Sequence, residues 1–128
     1  MRIDVLTLFP TMFDGPMTQS MLWKARDRGL LDLRLHDLRD WTKDKHRTAD
    51  DVPYGGGGGM LMKAEPIVDA IDSVLEGEAD VPVIYLTPQG RVLSHAIVTE
   101  FAKHPRLILL CGHYEGIDDR ACQIAITD

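Results

Sequence analysis

Aliphatic runs alternate with apolar positions at helical spacing along the chain. Residues 3–9 form an aliphatic-rich run that predicts a strand, and residues 31–36 alternate like a half-exposed one. Residues 81–86 and 107–111 are continuously apolar, as expected of strands covered on both faces. Between these runs, Met17, Met21, Leu22 and Ala25 mark one helix face, with Gly29 placed to stop it. Ile67, Val68, Ala70, Ile71, Val74 and Leu75 mark a second helix, with Pro66 in the first turn, where a missing N–H costs nothing. Ser94 is a good N-cap for a third helix through Ile97, Val98, Phe101 and Ala102. Residues 117–122 read as a short helix and residues 123–127 as the start of another strand. The alternation predicts one α/β domain over residues 1–128, a parallel sheet flanked by helices, with right-handed crossovers. The pattern leaves the strand order open.

Composition narrows the class. With 45% hydrophobic and 27% charged residues in 128, the chain has the balance of an ordinary globular domain, able to bury its core without disulfide or metal staples. Cys111 and Cys122 fall in expected core elements and read as reduced thiols. No apolar run reaches the ~18 residues of a membrane span, and Asp4 interrupts the segment where a signal peptide would be apolar, so a cytoplasmic protein is expected. Fourteen Lys and Arg against 20 Asp and Glu give a net charge of -6, which gives bulk nucleic-acid attraction no support. The five histidines lack ligand spacing, and no metal site is expected.

Three segments carry candidate chemistry. In open parallel sheets ligands collect beyond the carboxyl ends of strands. Tyr85-Leu86-Thr87-Pro88-Gln89-Gly90 and Cys111-Gly112-His113-Tyr114-Glu115-Gly116 both follow apolar strands, and are expected to lie side by side and line one pocket. Glycines there permit close backbone approach, and Leu86, Pro88, Leu110 and Tyr114 suit a flat ring; simple chain turning is the plainer alternative. The third is the long irregular stretch DKHRTADDVPYGGGGGMLM. It lacks the GK[ST] of a phosphate loop, and its glycines also fit a flexible linker. Met60-Leu61-Met62 should anchor it, and a long polar loop in a compact domain is more often functional than idle. Lys43, Lys45, His46 and Arg47 make a local basic cluster suited to phosphate, or simply a solvated face.

DKHRTADDVPYGGGGGMLM, then VIYLTPQGR, then LILLCGHYEGIDDR, together with LFPTMF near the start, closely resemble bacterial tRNA (guanine-N1-)-methyltransferase along essentially the whole chain. The resemblance implies a trefoil-knotted α/β methyltransferase of the SPOUT type, a homodimer that uses S-adenosylmethionine. Its implied reaction is methylation of N1 of the tRNA guanosine immediately 3′ to the anticodon. The cofactor would be held at Tyr85, Leu86, Thr87, Pro88, Gly112, Tyr114, Glu115 and Gly116. The tRNA would lie near Arg47, Asp50, Tyr54, Gly58 and Gly59. Glu115 takes a supporting role, and no residue up to Asp128 takes the role of catalytic base, which in the family lies further along with the segment that completes the knot and a C-terminal tRNA-binding domain. Gly58 continues the glycine run where the family usually interrupts it. Residues 1–128 alone are therefore expected to be inactive. Two rival readings stand beside this one: a non-catalytic RNA-binding or dimerisation module of the same fold, and an unrelated nucleotide-binding α/β domain.

Overall fold

A computed structural model describes residues 1–128. Strands β1 (Arg2–Thr7), β2 (Asp32–Asp37), β5 (Val83–Leu86) and β6 (Arg106–Cys111) form one sheet in the order β2-β1-β6-β5, and all its pairings are parallel. Two short strands, β3 (Asp50–Asp51) and β4 (Leu61–Met62), pair antiparallel across the glycine-rich stretch. The helices are α1 (Ser20–Asp27), α2 (Ala64–Leu75), α3 (His95–Phe101) and α4 (Asp119–Ala125). The α/β class expected from the pattern is the class observed. No helix is long and apolar enough to cross a membrane.

The two faces of the sheet are covered unequally. On one face Leu6, Ile108, Leu110 and Val83 pack with Ile67, Ala70, Ile71 and Val74 of α2 and Ala121 of α4, all of them buried. Pro66 lies in the first turn of α2, as expected. On the other face α1 and α3 contribute no buried residue, and Met21, Leu22, Trp23 and Val98 remain exposed. Val5, Ile84 and Leu107, which alternate with the residues facing α2, are buried as well. The strands are thus covered on both faces, although the helices of this second face bury nothing of their own. The pattern of Met17, Met21, Leu22 and Ala25 correctly gave a helix, but α1 is two turns long and its apolar side finds no partner within the chain.

Capping fixes the helix starts. The Ser94 hydroxyl accepts from Ile97 N–H at 3.4 Å, and the Asp118 carboxylate accepts from Arg120 N–H at 3.0 Å. That second cap moves the last helix two residues later than the apolar pattern suggests and carries it to Ala125, through part of the segment expected to begin a strand. Strand-like pairing starts only at the end: Thr127 N–H donates to the Val83 carbonyl at 2.8 Å, and Tyr85 N–H donates to that of Asp128 at 2.9 Å. Cys111 and Cys122 are free and half-buried, with thiols pushed up by burial.

One charged cluster is buried near the amino ends of the strands. Asp4, fully buried, accepts from Arg106 Nε at 3.0 Å and Arg2 Nη2 at 3.0 Å, and lies 2.8 Å from His36 Nε2. Arg106 in turn donates to Glu78 and to the Val74 carbonyl, tying the sheet to the end of α2. Burial raises the Asp4 pKa, but the donated hydrogen bonds outweigh it and hold the carboxyl below its ordinary range.

Candidate functional site

Leu86 and Cys111 are register partners on adjacent parallel strands, so the loops that follow β5 and β6 leave the sheet side by side. The contact between them is close. A Cβ at Gly112 would stand 2.9 Å from the Tyr85 ring, so only glycine leaves that ring its place. Burial pushes the Tyr85 phenol up. The expected adjacency is therefore observed. The expected single pocket is not one of the two principal concavities. A concavity of about 370 Å³ lies along Tyr85, Leu86, Thr87 and Pro88, but its other wall comes from Gly90 to Leu93 and α3 rather than from Gly112 to Gly116. The 112–116 loop instead turns toward β4, to which its backbone is hydrogen-bonded.

The glycine-rich stretch is anchored to that loop by backbone hydrogen bonds. Glu115 N–H donates to the Met60 carbonyl at 3.1 Å, Met62 N–H to that of Gly116 at 3.0 Å, and Asp118 N–H to that of Met62 at 2.9 Å. Met62 is buried and also pairs with Asp50, which joins the far side of the stretch to the same ladder. Gly55 to Gly58 have open space where a side chain would be, whereas Gly59 lies against Glu115. At Gly59, φ is +94° and an added Cβ would come within 2.3 Å of Glu115 Cγ. The run is thus open at its crown and fixed at its exit, which excludes the simple linker reading.

The carboxyl edge of the sheet also carries a row of flat groups. The Arg39 guanidinium lies 5.5 Å from the Phe9 ring, Phe9 lies edge-on to His113 at 4.9 Å, and His113 to Tyr114 at 4.7 Å. Tyr114 is held at φ +57°, a left-handed conformation unusual for an aromatic residue and more frequent at functional sites than elsewhere.

The remaining sequence candidates disperse. Arg47 is turned to Asp40 and the Arg39 carbonyl, and Lys43 pairs with Asp69, so Lys45 and His46 are the members of the basic cluster left without an ion pair. Tyr54 is almost fully exposed. Beside it lies a concavity of about 670 Å³ that the sequence did not signal, between the exit of the glycine run, the start of α2 and α4. Its lining includes Lys63, Glu65, Asp118 and Arg120, two segments far apart in sequence that are joined by the β4–Ile117 bridge and by the packing of α4 against α2. His, Cys, Asp and Glu side chains do not cluster anywhere in threes that would hold a metal ion.

The family model described as tRNA (Guanine-1)-methyltransferase TrmD matches residues 1–128. A tRNA (guanine-N(1)-)-methyltransferase of Chloroflexus aurantiacus is 55% identical over 98% of this chain and 50% of its own length. One of Citrifermentans bemidjiense is 48% identical over all of this chain and 51% of its own length. The crystal structure of a tRNA (m1G37) methyltransferase from Aquifex aeolicus superposes with a TM-score of 0.88 at 35% identity, over 99% of this chain and 57% of that one. The chain spans about half the length of the curated relatives it matches. A family match over its whole length, with a fold that superposes on a solved member, makes this chain a member of the tRNA (Guanine-1)-methyltransferase family.

Proposed function

We propose that residues 1–128 form the cofactor-binding domain of an enzyme that methylates N1 of the tRNA guanosine immediately 3′ to the anticodon, with S-adenosylmethionine as donor. The observation that carries the reading is the pair of strand-end loops after β5 and β6, side by side and hydrogen-bonded through Glu115 and Gly116 to the glycine-rich stretch. That arrangement fits a donor site and a base site held in fixed relation, which is what in-line group transfer requires.

The residues at the β5 end fit an adenosyl group. The concavity there is of small-ligand size, and exposed Leu86, Val92 and Leu93 offer apolar surface for a flat ring beside the free backbone of the loop. When bound, S-adenosylmethionine supplies an electrophilic methyl group. In this reading Tyr85, Leu86, Thr87 and Pro88 bind its adenosine, and Gly112 keeps the Tyr85 ring in place. Tyr114, Glu115 and Gly116, on the neighbouring loop, stand between that site and the glycine-rich stretch, with Arg47, Asp50, Tyr54, Gly58 and Gly59 toward the tRNA. Guanine N1 carries a proton at neutral pH, so transfer needs a base. The Glu115 side chain covers Gly59, which gives it a positioning role rather than that of a free base. On this reading, a chain without that base transfers methyl at least ~100-fold more slowly than one that carries it.

The unpartnered apolar side of α1, with Met21, Leu22 and Trp23 exposed, supports a homodimer. A cytoplasmic location follows from the substrate. The test is methyl transfer from labelled S-adenosylmethionine to unmodified tRNA by the full-length protein, with the product mapped. Methyl on N1 of the guanosine 3′ to the anticodon is expected; a folded protein that binds tRNA but transfers no methyl would favour the non-catalytic RNA-binding module of the same fold.

A further inference from the structure

The 670 Å³ concavity beside the glycine-rich stretch has no role in the cofactor site, and its chemistry is specific. Tyr54 stands at its lip, 87% exposed, with the Arg120 guanidinium 5.8 Å from its ring centroid. Asp118 fixes that guanidinium: its carboxylate accepts from Arg120 Nε at 3.0 Å and from Nη2 at 2.7 Å while capping α4. Val68 and Ile124 give apolar contact, and Asp51 and Glu65 add carboxylates to the wall. Lys63 and Glu65 line the same wall without an ion pair.

A phosphate is a poor occupant. Asp51, Glu65, Asp69 and Asp118 outnumber Lys63 and Arg120, and Arg120 is already neutralised. A flat, uncharged ring with amino donors suits the site better. It can stack on Tyr54 or on the guanidinium plane, and its exocyclic amine can donate to a carboxylate. The concavity is wide enough for a nucleotide, and it opens beside the stretch, between Asp50 and Gly59, assigned to the tRNA.

On that functional reading, we infer that this concavity receives an unstacked, amino-bearing nucleobase of the tRNA substrate other than the one methylated. Tyr54 and Arg120 form its stacking wall, and the carboxylates accept from its edge.

The test uses the full-length protein with S-adenosylmethionine present. Tyr54→Leu should raise KM for tRNA about tenfold, in the range expected for one lost stacking contact, while kcat falls less than twofold. Tyr54→Phe, which keeps the ring, should restore KM. Salt dependence separates base from phosphate: the slope of log Kd against log salt should stay unchanged in Tyr54→Leu and Arg120→Gln, whereas loss of a phosphate contact would flatten it by about one. Cofactor affinity should not move. An unchanged KM in Tyr54→Leu would overturn the inference, as would a flattened salt slope in Arg120→Gln. A fall in thermal stability with KM intact would assign the concavity to the protein's own polypeptide and overturn it equally. In all three cases wild-type methylation of tRNA would leave the functional reading standing; a wild-type protein that does not methylate tRNA would remove both.

Discussion

The two ends of the parallel sheet are built on opposite terms. At the amino end, one buried carboxylate is surrounded by two guanidinium groups and an imidazole, and Arg106 carries the network to Glu78 and α2. Arg2, His36 and Arg106, from three adjacent strands, all converge on Asp4. At the carboxyl end, the loops expose backbone, place Tyr114 in a left-handed conformation and leave Leu86, Phe9 and Tyr54 partly or wholly in solvent. The first arrangement is closed and holds the fold; the second is open and available to ligands. Mutations at the two ends should therefore separate stability from binding.

The largest effect is expected at Asp4. Asp4→Ala leaves Arg2, Arg106 and His36 without their common acceptor, and breaking a buried pair in this way costs about 3–5 kcal/mol. Chemical denaturation should show that loss, while the fraction that stays folded keeps its cofactor affinity. Full stability with weakened cofactor binding would reverse the assignment of the two ends.

Next comes Gly59. Gly59→Val must adopt φ +94° and displace Glu115, a strain of about 1–3 kcal/mol. It should raise KM for tRNA at least fivefold, because the ladder that joins the glycine run to the strand-end loop must shift. Gly58→Ala sharpens the contrast, since it has open space around it and no positive φ; its stability should change by no more than about 0.5 kcal/mol.

The acid limb of stability gives a smaller signal. The folded-state pKa of Asp4 lies below its ordinary value of about 3.9. Its contribution is thus complete above that value and is lost as pH falls through the folded pKa. Stability of the wild type should drop more steeply below about pH 4 than that of Asp4→Asn, as measured by thermal melts across that range. The smallest effect concerns the thiols. Burial pushes both Cys111 and Cys122 up, so each should react with a disulfide reagent more slowly than a free cysteine, until the protein is unfolded.

Much of the scaffold was legible because its signals are local. Apolar runs marked β1, β5 and β6, and Ser94 and Pro66 marked helix starts, since capping and period depend on neighbours in sequence. The strand order β2-β1-β6-β5 was not, because it depends on which crossovers pack together. The end of the chain misled for a related reason: the Asp118 cap extends α4 over residues whose pattern also suits a strand. At the candidate site, the strand pattern placed the loops after β5 and β6 side by side, as the parallel register shows. The tie between Met60–Met62 and Glu115–Asp118 was invisible, because it consists of backbone hydrogen bonds across more than fifty residues. The concavity at Arg120 and Tyr54 was missed for the same reason.

The central claim is that the loops after β5 and β6 jointly hold the methyl donor. Calorimetric titration of S-adenosylmethionine into the full-length protein and its Gly112→Val variant tests it most directly. The added side chain meets the Tyr85 ring, so the account predicts a loss of cofactor affinity of at least about thirtyfold, with a much smaller change in thermal stability. Equal affinity in the two proteins would contradict it, leaving Gly112 a turn residue and placing the donor elsewhere.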